Sequence, residues 1–347
     1  MTFRRALCSV LALALLPSGA SAAKFAGEFM AVGGGARALG MGGAFAAVAA
    51  DVSTVYWNPA GISGMKKRQI LAMHSERFGD LVNYNFASYA QPTQLLDESK
   101  EASWGLGLMH LGVDDQVVSN HLGFADLNGN GRIDAGEYLV DENGNRLTQA
   151  DFDALPRESD NSFAFLGTFA LKTGFGRVGG NLKLIYSDAI AGNTSTGIGI
   201  DLGWLYEDAF VEHLNFGAKL QDATGTYISW STGHTEFITP MLKLATAYKI
   251  VSQKFNGALV LALDSDIFFE NRQTASQYWM EDVSTDLHLG AELQFQEKVF
   301  VRGGFDSGWD NYTAGAGFKV SILGFDYAYL HHDDFEATHR VSVLAEW

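Results

Sequence analysis

An all-β fold, a transmembrane antiparallel barrel of about 14 strands with an N-terminal hatch inside its lumen, is what this sequence predicts. Three observations predict it: an export signal opens the chain, period-two runs fill it from about residue 69, and the connections between those runs differ in length by parity. Composition agrees. The 347 residues are 47% hydrophobic and 18% charged, with 39 glycines and five prolines, which is too apolar for a disordered chain. No uninterrupted apolar stretch of ~20 residues is available for a membrane helix, and neither a Gly-X-Y period nor sustained heptads occurs. The formal net charge of −16 argues against nucleic acid as a partner. A large soluble β protein is the alternative that composition leaves standing.

Residues 1–22 read as a signal peptide. Arg4 and Arg5 form a basic start, Ala6 to Leu16 an apolar core, and Pro17 and Gly19 break it before Ala20-Ser21-Ala22, the small-x-small pattern of a cleavage site. That core is too short to span a bilayer. Cleavage near Ala22 removes Cys8, the one cysteine, and takes the net charge from −16 to −18. The mature chain then has neither a disulfide nor a thiol nucleophile.

Residues 23–64 do not alternate. They include Gly33-Gly34-Gly35-Ala36-Arg37-Ala38-Leu39-Gly40-Met41-Gly42-Gly43-Ala44-Phe45 and, further on, Asp51-Val52-Ser53-Thr54-Val55-Tyr56-Trp57-Asn58-Pro59-Ala60-Gly61. A phosphate-binding glycine loop needs a preceding hydrophobic strand and a βαβ unit, and neither is present. Glycine instead lets backbone approach backbone, Pro59 fixes a turn, and Asn58 bonds neighbouring main chain. This is the composition of a plug.

From 65 to the end the pattern is that of barrel strands, with candidates near 69–78, 83–91, 103–113, 161–172, 176–187, 195–206, 213–222, 239–250, 255–265, 285–296, 298–306, 311–320, 323–332 and 338–347. In 287–296, for example, Leu287, Leu289, Ala291, Leu293 and Phe295 share one face, and His288, Gly290, Glu292, Gln294 and Gln296 the other. Lengths near ten suit tilted membrane strands. The connections after the fourth, eighth, tenth and twelfth are tight, and those after the third, seventh and ninth are long and polar, as periplasmic turns and external loops should be. The third strand carries Gly105, Gly107 and Gly112. It is a candidate for a kinked lateral opening, or else simply leaves space for the hatch. The chain stops on Trp347 after an alternating strand, which resembles the signal read by the barrel assembly machinery.

Residues 114–160 form an insertion on the external side. Within it Asp126-Leu127-Asn128-Gly129-Asn130-Gly131-Arg132-Ile133-Asp134-Ala135-Gly136-Glu137 fits a twelve-residue EF-hand-type loop. Asp126, Asn128 and Asn130 supply side-chain oxygens, Arg132 its carbonyl, Asp134 the ninth position and Glu137 a bidentate closure around Ca2+. No helix precedes the loop and no complete second loop follows, although Asp141, Asn143 and Asn145 add oxygens nearby. A structural calcium brace is the expectation, and an acidic turn without metal the alternative. His331-His332-Asp333-Asp334 reads as a solvated loop rather than a metal site. No catalytic constellation emerges, so the chain is expected not to be an enzyme.

The Gly33–Gly61 stretch resembles the N-terminal signature of the PorV/PorQ family, within the superfamily of FadL-like transporters; Gly40, Gly42, Gly43, Asn58, Pro59, Ala60 and Gly61 carry the likeness. The resemblance implies a fourteen-stranded barrel with an internal hatch, embedded in bacterial outer-membrane lipid. It also implies one of two functions. One is passive transport of a hydrophobic small molecule gated by the hatch. The other is a type IX secretion-associated barrel that receives the C-terminal domains of a secreted cargo protein. Modest external loops tilt the reading to transport.

Overall fold

The computed structural model describes residues 27–48, 51–77, 81–93, 101–118, 122–141, 143–270, 272, 278–308, 310–331 and 337–347. The signal peptide, residues 23–26, and His332, Asp333 and Asp334 lie outside them. Fourteen strands close a ring: β1 (Gln69–Arg77), β2 (Val82–Thr93), β3 (Ala102–Val117), β4 (Arg157–Thr173), β5 (Gly176–Ala189), β6 (Asn193–Tyr206), β7 (Leu214–Gln221), β8 (Met241–Ser252), β9 (Gly257–Phe268), β10 (Val283–Phe295), β11 (Val299–Asp306), β12 (Asn311–Val320), β13 (Leu323–Leu330) and β14 (Thr338–Glu346). Each pairs antiparallel with the next, and β14 pairs back onto β1 from Gln69 opposite Glu346 to Glu76 opposite His339. Closure leaves no free sheet edge. All fourteen coincide with the runs read from sequence.

The alternation has an inverted sense. On β5, Leu182, Leu184 and Tyr186 point outward and are 39–50% exposed, while Asn181, Lys183 and Ser187 between them are buried. The same inversion holds on β10, where Leu289 and Leu293 are exposed and His288 and Glu292 buried. An apolar exterior around a polar interior is what a lipid-facing barrel requires.

The tight turns follow from local chemistry. The β10–β11 turn places Gln296 and Glu297 at φ 51° and 54°, with the Lys298 amide donating to Phe295 O at 3.0 Å. Positive φ at both central residues matches the twist of the flanking strands. The long connection after β7 is partly ordered as a hairpin, Thr226–Trp230 against Thr235–Ile238, which continues the wall beside β6 above a bend at residues 222–225. In the insertion, Gly123–Phe124 pairs with Leu139–Val140 and frames the loop at 126–137.

Of the two readings of the β3 glycines, the kink is not there. Its ladders to β2 and β4 run unbroken from Ala102 to Val113, and the irregularity comes later, between Val113 and Gln116, where Asp115 has φ 61°. Gly105 and Gly107 make room instead: a Cβ on either would lie 3.2 and 3.0 Å from the Val55 methyls.

Candidate functional site in the occluded lumen

Residues 27–64 form short helical turns, Glu28–Val32, Ala36–Leu39, Thr54–Trp57 and Pro59–Gly64. They pass through the ring, where Ala36, Ala38, Met41, Ala44, Phe45, Ala46, Val52, Val55 and Ile62 are completely buried. No periodic face is possible for a segment surrounded on all sides by wall. It is held by close approach and by polar clamps.

Close approach is set by glycine. Gly42 turns at φ 65°, and a Cβ there would stand 2.7 Å from the Phe305 main chain on β11. On the opposite wall a Cβ on Gly179 of β5 would stand 2.6 Å from Pro59. Side chains at these points would push the segment off the wall, which is why both surfaces are bare.

The clamps come from inward positions around the ring. Tyr84 donates to Gly33 O at 2.8 Å, Asn181 to Val55 O at 2.9 Å, Lys219 to Tyr56 O at 2.7 Å and Thr313 to Gly40 O at 3.1 Å. Asp264 accepts from the Phe45 and Ala46 amides at 3.0 and 2.9 Å, and His288 Nδ1 lies 2.9 Å from Gly42 O. Asn58 is fully used: Nδ2 donates to Ala46 O at 2.8 Å and Trp204 O at 3.0 Å, and Oδ1 accepts from the Ala60 amide at 3.2 Å. These bonds satisfy main-chain groups that strands or water would otherwise serve.

One ionic chain crosses from segment to wall. Arg37 is bidentate on Glu292 of β10, Nε–Oε2 2.8 Å and Nη2–Oε1 2.6 Å, and reaches Asp51 at 3.2 Å. Arg302 of β11 shares Glu292 at 2.6 Å and bonds Asp326 of β13 at 2.6 Å. Burial opposes the Arg37 charge most strongly, but Glu292 and Asp51 outweigh it and hold the guanidinium pKa above its ordinary value. The Tyr56 hydroxyl is pushed up by burial, then by Asp266, Asp201 and Asp222. A second cluster joins Lys183 to Asp201 at 3.2 Å and to Asp222 at 2.5 Å, and a third joins Lys243 to Asp266 at 2.5 Å.

The structure thus places Asn58, Pro59 and Ala60 against β5 and β6, Gly61 against Thr54 within the segment, and Gly40, Gly42 and Gly43 against β10–β13. Sequence reasoning sorted Glu292 and His288 onto the face opposite the leucine row without giving them partners. Their signal was charge on the face opposite an apolar row.

The loop at 126–137 is exposed and folds on itself. Asp126 accepts from the Gly129, Asn130 and Gly131 amides at 2.6, 3.1 and 2.8 Å, and Glu137 from Leu127 and Asp134 at 2.9 and 2.8 Å. Asn130 Oδ1 accepts from the Arg132 amide at 2.8 Å, while the Asn128 and Asn130 amides both face Asp134. The Gly131 amide foremost holds Asp126 below the usual carboxylate range, and Asn128 does so for Asp134. Among the described residues no three His, Cys, Asp or Glu side chains converge as a metal site. The oxygen-rich donor set has the chemistry calcium takes.

No protein-family model and no curated protein matches the sequence. Solved structures do match in fold. The Ralstonia pickettii toluene transporter TbuX superposes with a TM-score of 0.54 at 13% identity, over 91% of this chain and 98% of that one. A deletion mutant of the monoaromatic hydrocarbon channel TodX superposes with a TM-score of 0.50 at 10% identity, over 90% and 98%. At such identities the likeness is one of architecture alone, that of a closed antiparallel barrel, here of fourteen strands.

Proposed function

We propose that this chain is a bacterial outer-membrane barrel that passes hydrophobic small molecules, gated by residues 27–64 as a hatch. One observation carries the reading: a segment without secondary-structure periodicity fills the lumen of an apolar-faced barrel and is seated by side-chain clamps rather than by strand pairing. Such clamps can be broken one by one, whereas a strand ladder breaks cooperatively. The names of the two similar structures, a toluene transporter and a monoaromatic hydrocarbon channel, support a neutral apolar cargo. The Gly33–Gly61 stretch supports the narrower PorV/PorQ kinship. Export with cleavage near Ala22 follows from the signal sequence.

Calcium is part of the same proposal. Asp126, Asn128, Asn130, Asp134 and Glu137 would hold the ion with the Arg132 carbonyl, and it would brace the external insertion. Its role is structural.

The test is uptake by proteoliposomes. Wild-type protein should admit toluene and exclude arabinose, and deletion of residues 33–61 should admit both. Equal exclusion of arabinose by the two proteins, with unchanged toluene uptake, would remove the hatch from the mechanism. Specific capture of C-terminal domains of exported proteins, without toluene uptake, would favour the secretion reading instead.

A further inference from the structure

The outer face of β1–β3 departs from the rest of the barrel. Three outward residues in one ladder row are polar and bonded sideways: His74 Nδ1 lies 2.8 Å from Asn85 Oδ1, and Asn85 Nδ2 lies 3.1 Å from His110 Nδ1. His110 Nε2 continues to Asn161 of β4 at 2.9 Å, its ring stacked on Phe163 at 4.6 Å. Beyond this row the surface stays polar, with Glu76 57% exposed and Asn83 bonded to Asp114 at 3.5 Å.

The inner boundary on the same flank is equally clear. Tyr89 packs against Trp104 at 5.5 Å and Trp347 at 6.4 Å, and Arg68 bonds the Trp347 main chain. Aromatic clusters of this kind sit at the membrane–water interface. From Arg68 to His74, from Gln91 to Asn85 and from Trp104 to His110 is six residues in each case. With ~3.4 Å rise and ~40° tilt that is about 16 Å of apolar height, against ~25 Å for an ordinary barrel belt. On β10 the outward face is apolar from Leu287 to Phe295, eight residues, and ends at Thr285, whose hydroxyl bonds Ser265; that is about 21 Å by the same arithmetic. Tilting the whole barrel cannot produce the difference, because it moves both boundaries of one flank together.

We propose that the bilayer is thinned against β1–β3, with lipid headgroups reaching down to the His74–Asn85–His110–Asn161 row. This flank is then the contact surface for the polar layer of the membrane. A full-depth belt of ~25 Å would submerge Glu76, which stands about 21 Å from Arg68 by the same arithmetic, and an ionised carboxylate in hydrocarbon is costly. A short belt is instead met by lipid that thins to match it. The inference rests on the barrel spanning a bilayer, but not on the hatch or the cargo.

The mature chain has no cysteine, so single spin labels can be placed cleanly. Asn83→Cys on β2 and Leu244→Cys on β8 each stand eight residues along the strand, counted back from Gln91 and Ser252. In phospholipid vesicles without other protein, the label at 83 should collide several-fold more with a water-soluble nickel chelate than with oxygen, and the label at 244 the reverse. Adding His74→Leu, Asn85→Leu and His110→Leu should move the label at 83 toward oxygen. Oxygen preference at both sites, or no shift in the triple variant, overturns the thinning alone. Nickel preference at 244 overturns the thinning and the membrane reading together. Retained heat-dependent gel migration would establish that each variant is folded.

Discussion

Replacing Glu292 with Gln strikes the contact that joins the N-terminal segment to the wall most directly. The carboxylate accepts from Arg37 twice, from Arg302 and from Gln294 at 2.6–2.8 Å. Glutamine keeps the shape and one acceptor but loses the charge. Removing one member of a buried pair costs ~3–5 kcal/mol, and the lower end applies here because Asp51 still faces Arg37 and Asp326 still faces Arg302. A loss of ~3 kcal/mol from the seated state alone raises the displaced fraction about 100-fold. Planar-bilayer conductance should therefore show frequent opening in Glu292→Gln where wild type is closed. The paired change Arg37→Met with Glu292→Met should lie nearer wild type, since no buried guanidinium is stranded on the segment. Wild-type conductance in a folded Glu292→Gln barrel would refute this account of how the segment is held.

Other outcomes follow from the same structure. Asn58→Ala removes one hydrogen bond to the β6 wall and two within the segment and should destabilise the seated segment by ~1–3 kcal/mol, read as protease sensitivity of residues 27–64 in the folded barrel. Gly179→Val places a side chain where Pro59 lies and should open the lumen to arabinose without preventing barrel closure. Glu137→Gln should weaken calcium binding measured by calorimetry, and absence of calcium heat in wild type at millimolar calcium would exclude the site. Because Asp126 and Asp134 are held below the ordinary aspartate range, they stay ionised above it. Acidification from neutral pH should therefore not weaken calcium binding through these two ligands until the pH falls below that range, measured by calorimetry across a pH series.

The strands were legible because two solvents impose two faces. Leu182, Leu184 and Tyr186 point out of the barrel while Lys183 and Ser187 point into it, so the sequence must alternate wherever the wall stands. Residues 27–64 have no such constraint, since every side of Ala36, Ala44 and Val55 meets protein. Their composition showed that they pack tightly, but not the path they take. The partners of Arg37 were hidden for a related reason: Glu292 lies 255 residues away, and only ring closure and register bring them together. Gly105 and Gly107 were ambiguous between a kink and a cradle, and the methyls of Val55 decide for the cradle.

A redox lock tests whether the segment must move for uptake. A Cβ on Gly40 would lie 3.6 Å from Ala328 Cβ on β13, within the ~3.5–4.5 Å that a disulfide spans, and Cys8 is the one cysteine in the sequence. With Gly40→Cys and Ala328→Cys in proteoliposomes, oxidation should stop toluene uptake, and a reductant should restore it. Unchanged uptake through an oxidised barrel, with the crosslink verified by mass spectrometry, would contradict the account.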